Sequence, residues 1–468
     1  MATSVVESER MRRRNDLDPD PDGSFVLYWM QASVRADQNP ALEYAVQRAN
    51  EHGVPLVVAA VVIADYPEAS PRQFSFFLGG LGLALRACEE RGATAVIVTA
   101  NDDPVPSIAS LCCGRSRAVE VVCDRGYLRD PRAWRTELAR SVGCLLTEVE
   151  GDVVVPVAVA SDKQETGART LRPKINRERD RFLVELAPTA LDHTDTVGVT
   201  PSDRIDLDAL DDVSSLLDRL GLADDSSGAP QPVDWIEPGT AAARRRLDAF
   251  LDGFADYDEA RNRYRDESGV SLLSPYLHFG HISPVDIARE VVDRAGDAAE
   301  AFLEELIVRR ELAFNYVEHQ PAYDSWDGLP EWARISLDLH RDDEREVTYT
   351  AVELENGETD DDVWNEIMRE IRERGWVHNQ LRMYWGKQIV RWTETPEDAH
   401  RMLLELNNRW FLDGRDPNSY TNVGWCFGLH DQGFKEREVS GKLRPFTTAA
   451  LKRKDDLRAW LTDRLRGP

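Results

Sequence analysis

The stretch Pro55-Leu-Val-Val-Ala-Ala-Val-Val-Ile63 decides the fold. An unbroken apolar run, rich in β-branched valine and too short for an amphipathic helix, reads as a strand buried on both faces. Phe25-Val-Leu-Tyr-Trp29, Thr94-Ala-Val-Ile-Val-Thr99 and Ala118-Val-Glu-Val-Val122 repeat the signal, with helical periodicity near 38–52, 72–92 and 129–142 between them. Strands alternating with helices predict a Rossmann-like parallel sheet covered on both faces. The first strand lacks a G-x-G-x-x-G turn. Gly79-Gly80-Leu81-Gly82 falls inside a helical pattern, which makes it a poor phosphate-binding fingerprint.

These signals outline an α/β domain over residues 23–160. Before it, residues 1–22 are polar, carry Arg10 and Arg12 to Arg14, and read as a disordered arm with no apolar signal core. Residues 161–239 read as an interdomain linker, because Asp224-Asp-Ser-Ser-Gly-Ala-Pro-Gln-Pro232 has linker chemistry. From 240 to 468 strand signals largely vanish and an all-helical C-terminal domain is expected. Thr240, Ser274-Pro275, Ser283-Pro284 and Thr395-Pro396 supply helix-start chemistry, and Gly375 is placed to end a helix.

The 468 residues suffice for two or three full cores. Against 57 basic residues stand 84 acidic ones, a formal charge of −27 spread along the chain. Such a diffuse excess reads as the solvated surface of a halophilic protein and argues against generic nucleic-acid binding, though not against a local basic face. No stretch approaches 18 apolar residues, so no membrane span is expected. Six cysteines without C-x-x-C spacing read as reduced, mostly buried thiols, consistent with a cytoplasmic protein.

Four tryptophans crowd one segment, at 364, 376, 385 and 392. Trp385 and Trp392 share a helix face about 10 Å apart along the axis, which suits electron hopping between indoles and ordinary core packing alike. Ser271-Leu-Leu-Ser274-Pro-Tyr-Leu-His278 opens a short helix with two hydroxyls nearby, able to hold a phosphate or simply a capped helix. Glu305 lies on the apolar face with Ala301, Phe302, Val308 and Leu312. It reads either as a desolvated proton or hydrogen-bond donor or as an i,i+4 partner of Arg309. Asp413-Gly-Arg415-Asp416-Pro417 is a charged loop, either a heterocycle contact or a salt-bridged turn. Lys435, Arg437, Lys442, Arg444 and Lys452-Arg453-Lys454 form the clearest basic cluster of the acidic C-terminal half and read as a phosphate-contacting surface.

In order, Ser274-Pro-Tyr-Leu-His-Phe-Gly280, Glu304-Glu-Leu-Ile-Val-Arg-Arg-Glu-Leu312, Arg382-Met-Tyr-Trp385 and Asp413-Gly-Arg-Asp-Pro-Asn418 resemble the class II cyclobutane pyrimidine dimer photolyases of the photolyase/cryptochrome family. Tyr28-Trp29-Met30, Arg35 and Asp37 resemble that family's first strand and turn, and residues 158–175 its interdomain segment, so the likeness spans roughly 25–457. The resemblance implies an α/β antenna domain, a helical FAD-binding domain, and light-driven repair of UV-damaged DNA by a monomer. It implies FAD contacts from Tyr264, Ser271, Leu273, Ser274, Arg382, Asn407, Asp413 and Arg415, with Asn407 near flavin N5. Trp385, Trp364 and Trp392, in that order, would form a photoreduction chain, and Trp376 would only pack. Glu305 and Met383 would touch the dimer, and Trp425, Arg444, Lys442, Lys452 and Arg453 the DNA. A deazaflavin, a folate or no antenna at all are left open in the α/β domain. A cryptochrome-like photoreceptor without repair is the alternative function.

The family usually reads His-Gly-Tyr-Met-Arg-Met-Tyr-Trp where this chain has His378-Asn379-Gln380-Leu381-Arg382-Met383-Tyr384-Trp385. Phe314 stands for a usual Asp, Pro445-Phe446 for Tyr-Met and Pro40 for a tryptophan. Most of these departures are expected on the substrate side.

Overall fold

The computed structural model describes residues 6–446 and 460, apart from 114–115, 200, 202, 224–227, 255–256, 264–266 and 296–298. Its strands are β1 (Met11–Arg13), β2 (Phe25–Trp29), β3 (Leu56–Ile63), β4 (Thr94–Ala100), β5 (Ala118–Asp124), β6 (Leu145–Val149) and β7 (Arg204–Ile205). They form one sheet in the order β1-β6-β5-β2-β3-β4-β7. The centre is parallel, and every residue of β3 is buried, as an uninterrupted apolar run requires. Only the edges, β1 on β6 and β7 on β4, are antiparallel. From β2 the chain winds outward through β3 and β4, then returns to lay β5 and β6 on the other side. The junction of β2 and β5 is therefore the topological switch point, where α/β sheets place ligands.

Two sequence expectations change. The arm proposed over 1–22 is not disordered from residue 6 onward: Ser8–Arg10 form a short turn and Met11–Arg13 pair with Val149–Thr147. Arg10 anchors it from a buried position, donating to the carbonyls of Glu150, Val153 and Val154 at 3.2, 3.0 and 2.8 Å. A charged residue that reads as solvated is thus satisfied inside the protein by backbone acceptors. Nor is 161–239 a bare tether. It contributes the helix Ala168–Phe182, β7 and the helix Val213–Leu220, whose Leu216 and Leu217 join the core on one sheet face.

The two halves are packed tightly together. A Cβ at Gly80, inside the helix Pro71–Glu90, would lie 2.0 Å from the His281 ring, and one at Gly79 2.7 Å from Pro238. The glycine run therefore serves close approach of Pro238 and His281, which lie outside helices, and not phosphate. Gly280 (φ 69°) similarly admits the carbonyl of Ala32, and Arg35 crosses the junction to the carbonyls of Gly280 and Gly151 at 3.0 and 3.1 Å.

The C-terminal half is helical, and its ends follow local chemistry. Thr395 caps Pro396–Trp410 by accepting from Asp398 N–H, and Gly375 in left-handed geometry closes Asp362–Arg374. Two expected caps move by one residue: Gly239 precedes the helix that begins at Thr240, and Leu273 precedes Ser274–His278. No described helix is long and apolar enough to cross a membrane. All six cysteines are free thiols, and only Cys113 is exposed.

Candidate functional site

A cleft of about 310 Å³ opens within the helical half. Ser271, Leu273 and Ser274 line it, and Leu272 between them takes a left-handed φ of 53° and turns the chain. Arg382 and Asp413 also line it as an ion pair at 3.1 Å, with the buried Trp376 and Phe302 and the exposed Asn379. Helix Asn379–Trp392 delivers Arg382, and the turn after Pro396–Trp410 delivers Asp413. The guanidinium of Arg382 lies 3.7 Å from the centre of the Phe411 ring, which holds it flat. Directly behind it is Asn407, 1 % exposed, whose Oδ1 accepts from Arg382 Nη2.

Glu305 reaches this cleft, but neither sequence reading of it survives intact. It pairs with Arg261 at 2.9 Å and keeps 39 % of its side chain exposed, so it is not sealed into an apolar face. Its expected partner Arg309 instead meets Glu304 at 3.0 Å, which also takes Arg172 at 2.7 Å. The cause is a π-helical turn over Glu304–Arg309, in which residues five apart come together.

Three of the tryptophans adjoin one another in series. Trp364 Nε1 donates to the Trp385 carbonyl at 3.1 Å, while its ring meets that of Trp392 edge-on at 5.7 Å. Trp364 therefore sits between the other two. Trp385 touches Phe411, at 5.7 Å between centroids, and so lies within one ring of Arg382. Trp392 is itself 8 % exposed and is covered by Tyr349 at 5.3 Å. Trp376 does more than pack, because it lines the cleft while facing Trp235, with Arg374 over both rings.

Other expected site residues fall elsewhere. Met383 is half-buried and does not line the cleft. Arg415 turns away from it, 4.9 Å from the Tyr66 ring, and lines a second cavity of about 200 Å³ between the two halves. Trp29, Tyr66, Phe77, Tyr127, Trp134 and Phe314 give that cavity an aromatic wall at the C-terminal ends of β2, β3 and β5. Beside it Asp416 is held down to about 2: burial would raise it, but His278 at 3.4 Å, Arg310 and the Asn418 N–H favour its charge. Phe314 packs edge-on against Tyr127 at 4.8 Å there, and Pro40 starts the helix Pro40–His52. Neither of those two departures lines the helical cleft. Asn379, which is exposed, does line it, whereas Gln380 bonds to Asn262 and does not.

Trp425 is flanked by the Lys387 ammonium at 4.9 Å and the Arg444 guanidinium at 6.0 Å. Arg444 is exposed and paired with Asp431 at 2.8 Å, and Lys442 is exposed two residues before it. Tyr264, Lys452 and Arg453 lie outside the described residues. Among the described residues no group of three or more His, Cys, Asp or Glu side chains could hold a metal. Sequence reading missed Phe411, the ring that joins Arg382 to Trp385, and Asn408, whose Oδ1 accepts from Asn407. An aromatic and an amide at a helix end carry no local mark of either role.

The family model described as DNA photolyase matches residues 26–192. A deoxyribodipyrimidine photo-lyase of Methanothermobacter thermautotrophicus is 40 % identical over 468 residues, 99 % of each chain. Among solved structures, a class III photolyase from Agrobacterium tumefaciens superposes with a TM-score of 0.71 at 19 % identity, covering 95 % of this chain and 90 % of that one. An archaeal photolyase from Sulfolobus tokodaii, solved with two FAD molecules, does so at 0.67 and 15 %, covering 93 % and 89 %. These two likenesses establish the fold. Identity of 40 % sustained along essentially the whole of both chains establishes more: this protein belongs to the DNA photolyase family.

Proposed function

We propose that the protein repairs cyclobutane pyrimidine dimers in DNA with light, using reduced FAD held in the helical cleft. The observation that carries this reading is the continuous arrangement of cleft wall, Asn407 and tryptophans: Arg382 touches Asn407 and Phe411, Phe411 touches Trp385, and Trp364 links Trp385 to Trp392. The residues present fit FAD. Hydroxyls suited to phosphate and a cation–carboxylate pair suited to a polar heterocycle line the same cleft, and the Trp385 Nε1 is buried without a partner.

Ser271, Leu273 and Ser274 would bind the phosphates, and Arg382 with Asp413 would flank the flavin ring. Bound in its reduced form, FAD would supply an electron on excitation and recover it once the two cyclobutane carbon–carbon bonds have parted, so no net redox change occurs. Asn407 is a neutral amide, able to hydrogen-bond the ring edge without fixing its protonation state. Trp392, Trp364 and Trp385, each touching the next, would pass electrons towards the cleft. Glu305, paired with Arg261 at the mouth, would hydrogen-bond a carbonyl of the flipped lesion. Trp425 and Arg444 would fill the gap that the lesion leaves. Dimers stack and pair poorly, so extruding one costs less than the roughly few kcal/mol needed for an intact nucleotide. The aromatic cavity at the β2/β5 switch point would hold an antenna chromophore, a planar ring matching Trp29, Tyr127 and Trp134.

The decisive experiment illuminates reduced protein with an oligonucleotide containing one thymine dimer. Light-dependent loss of the dimer is expected, and a dimer that persists under illumination refutes the reading.

A further inference from the structure

Asn407 is one of two adjacent buried amides, and the second has no assigned role. Asn408 is fully buried at the end of helix Pro396–Trp410. Its Oδ1 accepts from the backbone N–H of Arg415 at 3.1 Å and from Asn407 Nδ2 at 3.2 Å. Its Nδ2 donates to Glu68 Oε2 at 2.7 Å, across the junction with the α/β half. Glu68 is itself held in a left-handed conformation, φ 58°, just before the helix Pro71–Glu90. That helix clamps the same region, since Gln73 Nε2 donates to the carbonyls of Asn408 and Phe411, each at 3.0 Å. Gly414 packs against the backbone from the other side, where a Cβ would lie 2.5 Å from the Asn408 carbonyl oxygen.

An amide can present either its oxygen or its nitrogen to a neighbour, and its partners decide which. Here the outer partners have fixed polarity. The Arg415 N–H and the Arg382 guanidinium only donate, and a charged Glu68 only accepts. With Asn408 Oδ1 turned to Arg415 and its Nδ2 to Glu68, Asn407 must offer Nδ2 to Asn408 and Oδ1 to Arg382. A flipped Asn407 would set N–H groups against N–H groups at Arg382 and oxygen against oxygen at Asn408.

We propose that Glu68 and Asn408 are positioning residues: they fix the polarity of the Asn407 amide, which in turn holds Arg382 in the cleft wall. The inference rests on the flavin reading of that cleft. The α/β half thereby sets the environment of the flavin through a chain of four side chains, Glu68, Asn408, Asn407 and Arg382, as well as covering one side of the helical half.

The test uses the full-length, flavin-loaded protein and three variants: N408A, the double variant N408D/E68Q, and E68L. Readouts are the midpoint potential of the bound flavin, the visible spectrum of the photoreduced flavin, and Tm. N408D/E68Q keeps an acceptor for Arg415 and Asn407, keeps a hydrogen bond between positions 68 and 408, and leaves the net charge unchanged. N408A is expected to bind flavin with a shifted potential and an altered photoreduced spectrum. N408D/E68Q is expected to return both to the parent values. E68L should shift them in the same direction as N408A, by less. Should N408A not fold, E68L decides, because its altered residue lies in a surface loop. Parental potential and spectrum in N408A or, failing that, in E68L overturn the inference whatever happens to Tm. So does a double variant no closer to the parent than N408A. If the variants overturn the inference while the parental protein binds flavin and repairs dimers, the functional reading stands; parental protein without flavin removes both.

Discussion

At the residue scale, the chemistry depends on side chains whose roles come from their neighbours. Trp364 is the middle member of the indole series because its Nε1 reaches Trp385 and its ring reaches Trp392. Trp364→Phe should therefore slow light-driven reduction of the flavin by about tenfold or more, equivalent to raising the barrier by at least about 1.4 kcal/mol. Repair by chemically reduced protein should be unchanged; transient absorption and the dimer assay separate the two. Glu311 offers a pH signature. Burial pushes its carboxyl up to about 8, although the N–H groups of Val154 and Val155 and the cations Arg310 and Arg10 oppose this. An acid raised on folding binds its proton more tightly in the native state, so its contribution to stability falls as pH rises from the ordinary carboxylate value towards about 8. Glu311→Gln removes that slope. Tm of the variant relative to the parent should rise between pH 5 and pH 8, and parallel Tm profiles would show the assignment to be wrong. Residue identity singled out Arg382 and Asp413 through ordered motifs and Asn407 through the family resemblance. It gave no hint that Arg415, in the same motif, faces the other cavity, because the direction of a side chain after a left-handed φ of 65° is set by the loop as a whole.

At the element scale, the helix Pro71–Glu90 joins the two halves. Arg72 is 2 % exposed and inserts between helix ends, donating to the carbonyls of Ile371 at 3.1 Å, Trp410 at 2.8 Å and Gln231 at 2.9 Å. Its charge has carbonyls and no carboxylate for company, and burial lowers it to about 10. It thus answers the negative ends of the two helices that carry Trp364 and Asn407. Arg72→Leu should cost about 1–3 kcal/mol for each carbonyl left buried without a donor, measured by denaturant unfolding. Gly80→Ala tests the same junction by crowding, because its Cβ would fall 2.0 Å from His281. A loss of about 1–3 kcal/mol is expected for overpacking, and a variant as stable as its parent would contradict the close approach. Periodicity located the helices 40–52, 71–90 and 129–141 to within a few residues, since each buries one face against the sheet. It did not mark β6, and it could not find β1 or β7. Strands of three and two residues have too few side chains to show a period, and they exist only because a partner edge was there to pair with.

Across the whole molecule, the charge of −27 frames how DNA is met. Lys442 and Arg444 form a small exposed basic face beside Trp425, and Arg444 is already shared with Asp431. Binding of dimer-containing duplex should then depend on the lesion more than on phosphate contacts. Between about 50 and 200 mM salt its affinity should fall by far less than the roughly 10³-fold loss typical of six phosphate contacts. A fluorescence-anisotropy titration at several salt concentrations measures the slope, and one as steep as that value would count against a lesion-dominated interface. By itself the sequence determined the α/β and helical halves and the family. Hydrophobic period and ordered motifs are properties of neighbouring residues, so they survive without coordinates. Only the tertiary structure decided that residues 6–22 are folded, that Glu305 pairs with Arg261, and that Glu68 reaches Asn408. Each depends on groups tens to hundreds of residues apart satisfying one another's hydrogen bonds and charges, and no local pattern records that pairing.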